Sequence, residues 1–159
     1  MDVQSLEPII AKVELFKDLR PEHLRLIAGC ASNVRYEPDT FAGRAGDDAD
    51  RFWVIRQGRM ALELFTPGRG AITVATIGEG DVVGFSWLLP PYQLHFDIHV
   101  LTATGALLFD GRCLRGKFGS DAVLGYEMLN RFSRIIVSRI EAMSLQLMDI
   151  YGDHPVEHE

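Results

Sequence analysis

The chain has 159 residues, 47% of them hydrophobic, and a formal charge of −6 at pH 7; its mean hydropathy is +0.06 and its pI about 5.3. That length suits one domain with a full core, not a sensor joined to an output domain of comparable size. The acidic balance disfavours a nucleic-acid surface, which needs an excess of Lys and Arg on one face, and no apolar run approaches the roughly 20 residues of a membrane span.

The amino terminus carries neither a basic segment nor an apolar one, so it does not read as a secretory signal. Cys30 and Cys113 lie far apart in sequence. The expectation is therefore no disulfide and a reducing cytoplasm. Leu6, Ile9, Ile10 and Val13 recur at helical spacing, and Pro21-Glu22 opens a second short helix carrying Leu24, Leu26 and Ile27.

From 33 to 110 the pattern changes to short alternating runs: Tyr36, Phe41, Phe52 to Ile55, Met60 to Leu64, Ile72 to Ala75, Val82-Val83, Phe96 to Val100 and Leu107 to Phe109. Turn signals separate them, among them Gly46-Asp47-Asp48, Gln57-Gly58, Pro67-Gly68-Arg69-Gly70 and Gly78-Glu79-Gly80-Asp81. About eight short strands at near-regular spacing predict an antiparallel sandwich or jelly-roll β-barrel.

Within this run the stretch from Gly78 to Thr102 is the predicted pocket. Gly78, Gly80 and Gly84 let the backbone turn sharply and approach a ligand. Ser86 to Leu89 then reads as one helical turn whose free N–H groups face an anion near Gly84, stopped by Pro90 and Pro91.

Asp110 reads as the N-cap of a short helix carrying Leu114 and Phe118. A long helix follows from 121 to 151, with Leu129, Phe132, Ile136, Ile140, Met143, Leu147 and Ile150 along one face. Helical throughout, it is about 45 Å long. A small barrel cannot cover such a seam, so the helix is predicted to pair with its copy in a homodimer or, alternatively, to fold back on its own barrel. Residues 152–159 read as a polar tail.

These features in this order resemble the cyclic-nucleotide-binding domain of the Crp/Fnr and kinase regulatory-subunit superfamily. The resemblance rests on the Tyr36-Glu37-Pro38, Gly46-Asp47, Phe52 to Arg59 and Gly78 to Asp81 runs, and covers residues 6 to about 151. It implies a mainly β fold with helices at both ends, a non-enzymatic regulatory role and cyclic AMP or cyclic GMP as ligand. Gly84 stands at the family's glycine and Leu88-Leu89 at its apolar helix, but Phe85 occupies the slot of the acidic residue that holds a ribose hydroxyl. The family's phosphate-binding arginine falls on Leu94 or His95, with Gln93 and His99 nearby. A cyclic phosphate is held best by a bidentate arginine, so the recognition cassette is degenerate.

The ligand-facing set is then Gly84, Phe85, Ser86, Trp87, Leu88, Leu89, Gln93, Leu94 and His95, with Ser138 of the long helix placed where the resembled family sets a hydroxyl against the base. The family's transcription factors continue into a helix-turn-helix; here the resemblance implies a stand-alone sensor with no DNA-reading element. The other readings are a ligand-free dimerising module docking on a partner enzyme or transporter, with Phe85, Trp87, Leu94 and Phe96 as pocket filler, and a cupin-like metal enzyme. His95, Asp97 and His99 would share one strand face, yet the cupin ligand pattern is missing and no metal site is assigned. Haem on His95 or a cysteine is weaker still, and no catalytic constellation stands out.

Overall fold

The computed structural model describes residues 6–152, and the side chains through 149. Ile150 and residues 153–159 of the tail lie outside the described side chains and backbone respectively. Helix α1 (Glu7–Ala11), a single 3-10 turn at Glu14–Phe16 and helix α2 (Pro21–Ala28) form the entry. Pro21 sits in the first turn of α2, where its missing N–H costs no hydrogen bond.

Eight strands follow: β1 (Ala31–Tyr36), β2 (Phe41–Gly43), β3 (Arg51–Gln57), β4 (Met60–Thr66), β5 (Gly70–Ile77), β6 (Val82–Val83), β7 (Asp97–Val100) and β8 (Thr104–Asp110). They form two four-stranded antiparallel sheets, ordered β1-β8-β3-β6 and β2-β7-β4-β5. Of the sandwich and jelly-roll barrel expected, the sheets do not close into a barrel but build the sandwich. Its outermost strands, the two-residue β6 among them, make no ladder to the opposite sheet among the described residues.

Strand β3 explains how one sheet serves two cores. Successive side chains point to opposite faces, and all of Phe52, Trp53, Val54 and Ile55 are buried. Phe52 and Val54 join Phe16, Trp87, Phe109, Leu124 and Phe132 under the helices. Trp53 and Ile55 join Met60, Val83, Ile98 and Val100 between the sheets. Each such side chain contributes roughly 1.5–3 kcal/mol by leaving water.

Helix α3 (Gly111–Ser120) is capped as expected: the Asp110 carboxylate accepts from the N–H groups of Arg112 at 2.9 Å and Cys113 at 3.1 Å. Helix α4 (Ala122–Gly152) starts where the Asp121 carboxylate accepts from Leu124 N–H at 3.1 Å. That bond, first, and then the nearby His23 hold the Asp121 carboxyl below its usual range. Leu124, Met128 and Phe132 of α4 are buried against the sandwich.

Two sequence expectations change here. Cys30 and Cys113 form a disulfide, with Cα atoms 5.7 Å apart across a sequence separation of 83. The antiparallel β1–β8 ladder sets Ala31 opposite Phe109, and Asp110 N–H donates to the Cys30 carbonyl at 2.9 Å, so the first turn of α3 lands on Cys30. The premise for a reducing compartment falls with it. Among the described residues no helix is long and apolar enough to cross a membrane. The second change concerns the α4 seam. Phe132 faces the core, edge-on to Phe52 at 5.2 Å and Trp87 at 5.4 Å. The stripe left outside runs through Tyr126, Leu129, Ser133, Ile136, Ile140, Met143 and Leu147 at alternating spacings of three and four, with Ile140 57% and Leu147 55% exposed.

Candidate functional site

The segment after β6 departs from expectation. Gly84 has φ +99°, a conformation that other residues rarely adopt, and Ser86 to Leu89 form a turn instead of a helix. The reason lies in the two prolines. An α-helical turn over these residues needs N–H groups at positions 90 and 91 to reach back to the carbonyls of Ser86 and Trp87, and Pro90 and Pro91 have none. What remains is a bond from Leu88 N–H to the Phe85 carbonyl at 3.1 Å and another from Tyr92 N–H to Leu89 at 3.1 Å. The expected anion-binding helix end is therefore not built.

The turn is held from below. Trp87 is fully buried, stacked on Phe52 at 5.0 Å, with its indole N–H unpartnered among the described residues. Its carbonyl accepts from the Arg115 guanidinium, which also lies 4.1 Å over the Tyr92 ring. Leu94 is fixed by its backbone, accepting from Gly46 N–H at 2.8 Å and donating to the Asp47 carbonyl at 2.9 Å.

Above this frame, between the sandwich and α4, lies a cavity of about 240 Å³. Gly84, Phe85, Ser86, Leu94, His95 and Phe96 line one side, Leu62 and Ile98 its floor, and Ile136, Arg139, Ile140 and Met143 of α4 the other. The structure thus brings five of the sequence-chosen residues together: Gly84, Phe85, Ser86, Leu94 and His95. Trp87 belongs to the core; Leu88 packs against that core, while Leu89 and Gln93 are exposed and off the cavity. Ser138 is also corrected. It is exposed on the other side of the helix, in a groove shared with Asp81 and Gln146.

Arg139 takes the place foreseen for Ser138. Its Nη2 donates to the Val82 carbonyl at 2.7 Å, and its guanidinium sits 4.8 Å over the Phe85 ring. Its Nη1 is buried without an acceptor among the described residues. Burial pushes its pKa below the ordinary arginine value, and the exposed Asp81 partly opposes that shift. The sequence did hold a signal: position 139 is three residues from Ile136 and four from Met143, a charged residue on an apolar stripe.

The polar face of β7 is engaged elsewhere. The Asp97 carboxylate accepts from Ala45 N–H at 2.8 Å, and Arg44 lies 3.5 Å away. His99 is clamped between Glu63 at 3.0 Å and Asp39 at 2.7 Å, and the bond to Glu63, then that to Asp39, raises its pKa above the usual histidine value. Phe41 stacks on the imidazole at 4.8 Å. Among the described residues no three His, Cys, Asp or Glu side chains are grouped to hold a metal.

No family model matches the sequence, and no curated protein sequence matches it significantly. Solved structures do. A cyclic-nucleotide-binding protein from Geobacter metallireducens superposes with TM-score 0.74 at 19% identity, over 88% of this chain and 98% of that one. A cyclic-nucleotide-binding domain from Methylobacillus flagellatus gives 0.76 at 18% identity, over 92% and 83%. This is the cyclic-nucleotide-binding-domain fold. A third cyclic-nucleotide-fold neighbour, the regulatory subunit of a cAMP-independent protein kinase A from Trypanosoma cruzi bound to guanosine, gives 0.72 at 14% identity, over 94% of this chain and 51% of that one. Among the described residues the cavity wall of this cyclic-nucleotide fold carries one charged side chain, Arg139, and it comes from α4.

Proposed function

We propose that this chain is a non-enzymatic regulatory domain that takes a small ligand in the cavity under α4 and works as a homodimer through that helix. One observation carries the reading: the cavity is shared between the Gly84–Phe96 cassette and α4, through Ile136, Arg139, Ile140 and Met143. A ligand there must touch both, so its binding energy differs between positions of α4 and biases them. The outer stripe of α4 supports the second half, since the exposed Ile140 and the half-buried Ile136 and Met143 belong to it as well as to the cavity wall. Ligand and dimer partner would then act on the same side chains.

Nucleotide binding by this cassette should be weak. Phe85 offers no carboxylate to a ribose, and neither Leu94 nor His95 supplies a guanidinium. The test is hydrogen exchange across α4 during a thermal-shift screen of cyclic nucleotides, nucleosides and hydrophobic acids. A binder should slow exchange at 136–143 and lose its effect in Leu94→Trp, which fills the cavity. Binders that leave α4 untouched would contradict the reading.

A further inference from the structure

The identity of the cavity's charge narrows the ligand class, given the reading of the cavity as the binding site. We infer that the cavity takes a small monoanionic carboxylate with an apolar aryl or alkyl body, the carboxylate on Arg139 and the body among Leu62, Phe96, Ile98 and Met143.

The first support is a donor left over. A guanidinium carries several N–H donors in a planar fork, and Arg139 spends one on the Val82 carbonyl while Nη1 is buried without an acceptor among the described residues. An unsatisfied buried donor is costly to leave, and a carboxylate is the acceptor whose geometry matches the fork. The described residues supply no such acceptor: Asp81 favours the charged form of Arg139 without accepting from Nη1. The Phe85 ring covers one side of the guanidinium, and the Val82 carbonyl is its hydrogen-bond acceptor among the described residues.

The second support is what the rest of the wall lacks. Besides Arg139, among the described residues only Ser86 and His95 bring polar side chains, and His95 stands exposed. Among the described residues no acidic side chain lines the cavity to accept from sugar hydroxyls. One fixed positive charge in an apolar wall neutralises one negative charge; a second, as on a phosphate monoester, would stay uncompensated where water is scarce. Size agrees. A dry cavity of about 150 Å³ holds benzene, so 240 Å³ suits a body of roughly ten non-hydrogen atoms, about half a cyclic mononucleotide.

The test is calorimetry on the whole chain with 4-phenylbutyrate and octanoate, their neutral amides, and cyclic AMP. Each acid should bind roughly ten- to a hundredfold tighter than its amide. In Arg139→Met that ratio should fall to near one while the amide affinity holds, which also reports that the variant is folded; Arg139→Lys should keep part of the preference. Equal binding of acid and amide by the wild type, or an acid preference that survives Arg139→Met, would overturn the inference. Saturable binding of cyclic AMP unaffected by Arg139→Met would overturn it too, yet leave the cavity standing as a ligand site. Silence from every probe would remove both.

Discussion

Opening the Cys30–Cys113 bond perturbs the fold at one defined place. The disulfide joins the end of α2 to the first turn of α3 and closes a loop with a sequence separation of 83. Loop-closure entropy over that span amounts to about 4.5 kcal/mol in the chain-entropy treatment, and about 2–4 kcal/mol is the usual yield. For a domain of this size each kcal/mol moves Tm by about 2–4 °C. Reduction, or the double substitution Cys30→Ala with Cys113→Ala, should therefore lower Tm by roughly 5–15 °C. Calorimetry of the oxidised protein, the reduced protein and the double variant decides it, with thiol titration under denaturing conditions as a check. Reductant should leave the double variant unmoved. Two free thiols in the untreated protein, or a reduced form melting within about a degree of the oxidised one, would refute the bridge and its stabilising role.

Ile140→Glu puts a charge in the middle of the exposed α4 stripe, where Ile140 is 57% exposed in the single chain; burying it against its copy should weaken the dimer by roughly a hundredfold or more, read by light scattering against concentration. Equal masses for wild type and variant at all concentrations would contradict pairing through α4. His99, raised by Glu63 and Asp39, stabilises the fold fully below its unfolded pKa of about 6.5, and that contribution is lost as pH climbs through the raised folded value. The Tm advantage of wild type over His99→Gln should thus be larger at about pH 5.5 than at about pH 8.5, and an advantage that grows with pH would refute the clamp. Phe85→Glu brings a carboxylate to the Arg139 guanidinium, 4.8 Å from the ring it replaces; 4-phenylbutyrate binding should disappear with no loss of Tm, and undiminished binding would show that Arg139 is not the anchor.

Much of the fold was legible because it depends on local periodicity. The Phe52 to Ile55 run, the Asp110 cap and the turn glycines each answer to short-range rules, and the strands appear where those runs stand. Features that depend on which elements meet were not. Cys113 reaches Cys30 only through the β1–β8 register, which no spacing in the sequence expresses. Phe132 shares the sequence stripe with the outer seam because a 3.6-residue stripe is wide enough to include core and surface positions alike. The cassette helix does not form because Pro90 and Pro91, which mark a helix stop in sequence, sit close enough to remove the very donors that would close the turn. Arg139 was not legible because the resemblance places charge in the cassette, whereas here the charge stands on the facing helix.

The most direct test of a nucleotide-fold cavity with its charge moved to α4 is a calorimetric titration of the wild type with cyclic AMP. A missing arginine–phosphate contact costs about 2–5 kcal/mol, or between one and four decades in affinity, and a cassette turn without a helix end restores little of it. No saturable binding at low micromolar concentration is expected. Tight binding, indifferent to Arg139→Met, would contradict the account and place the phosphate anchor in the cassette itself, on His95 or the backbone around Gly84.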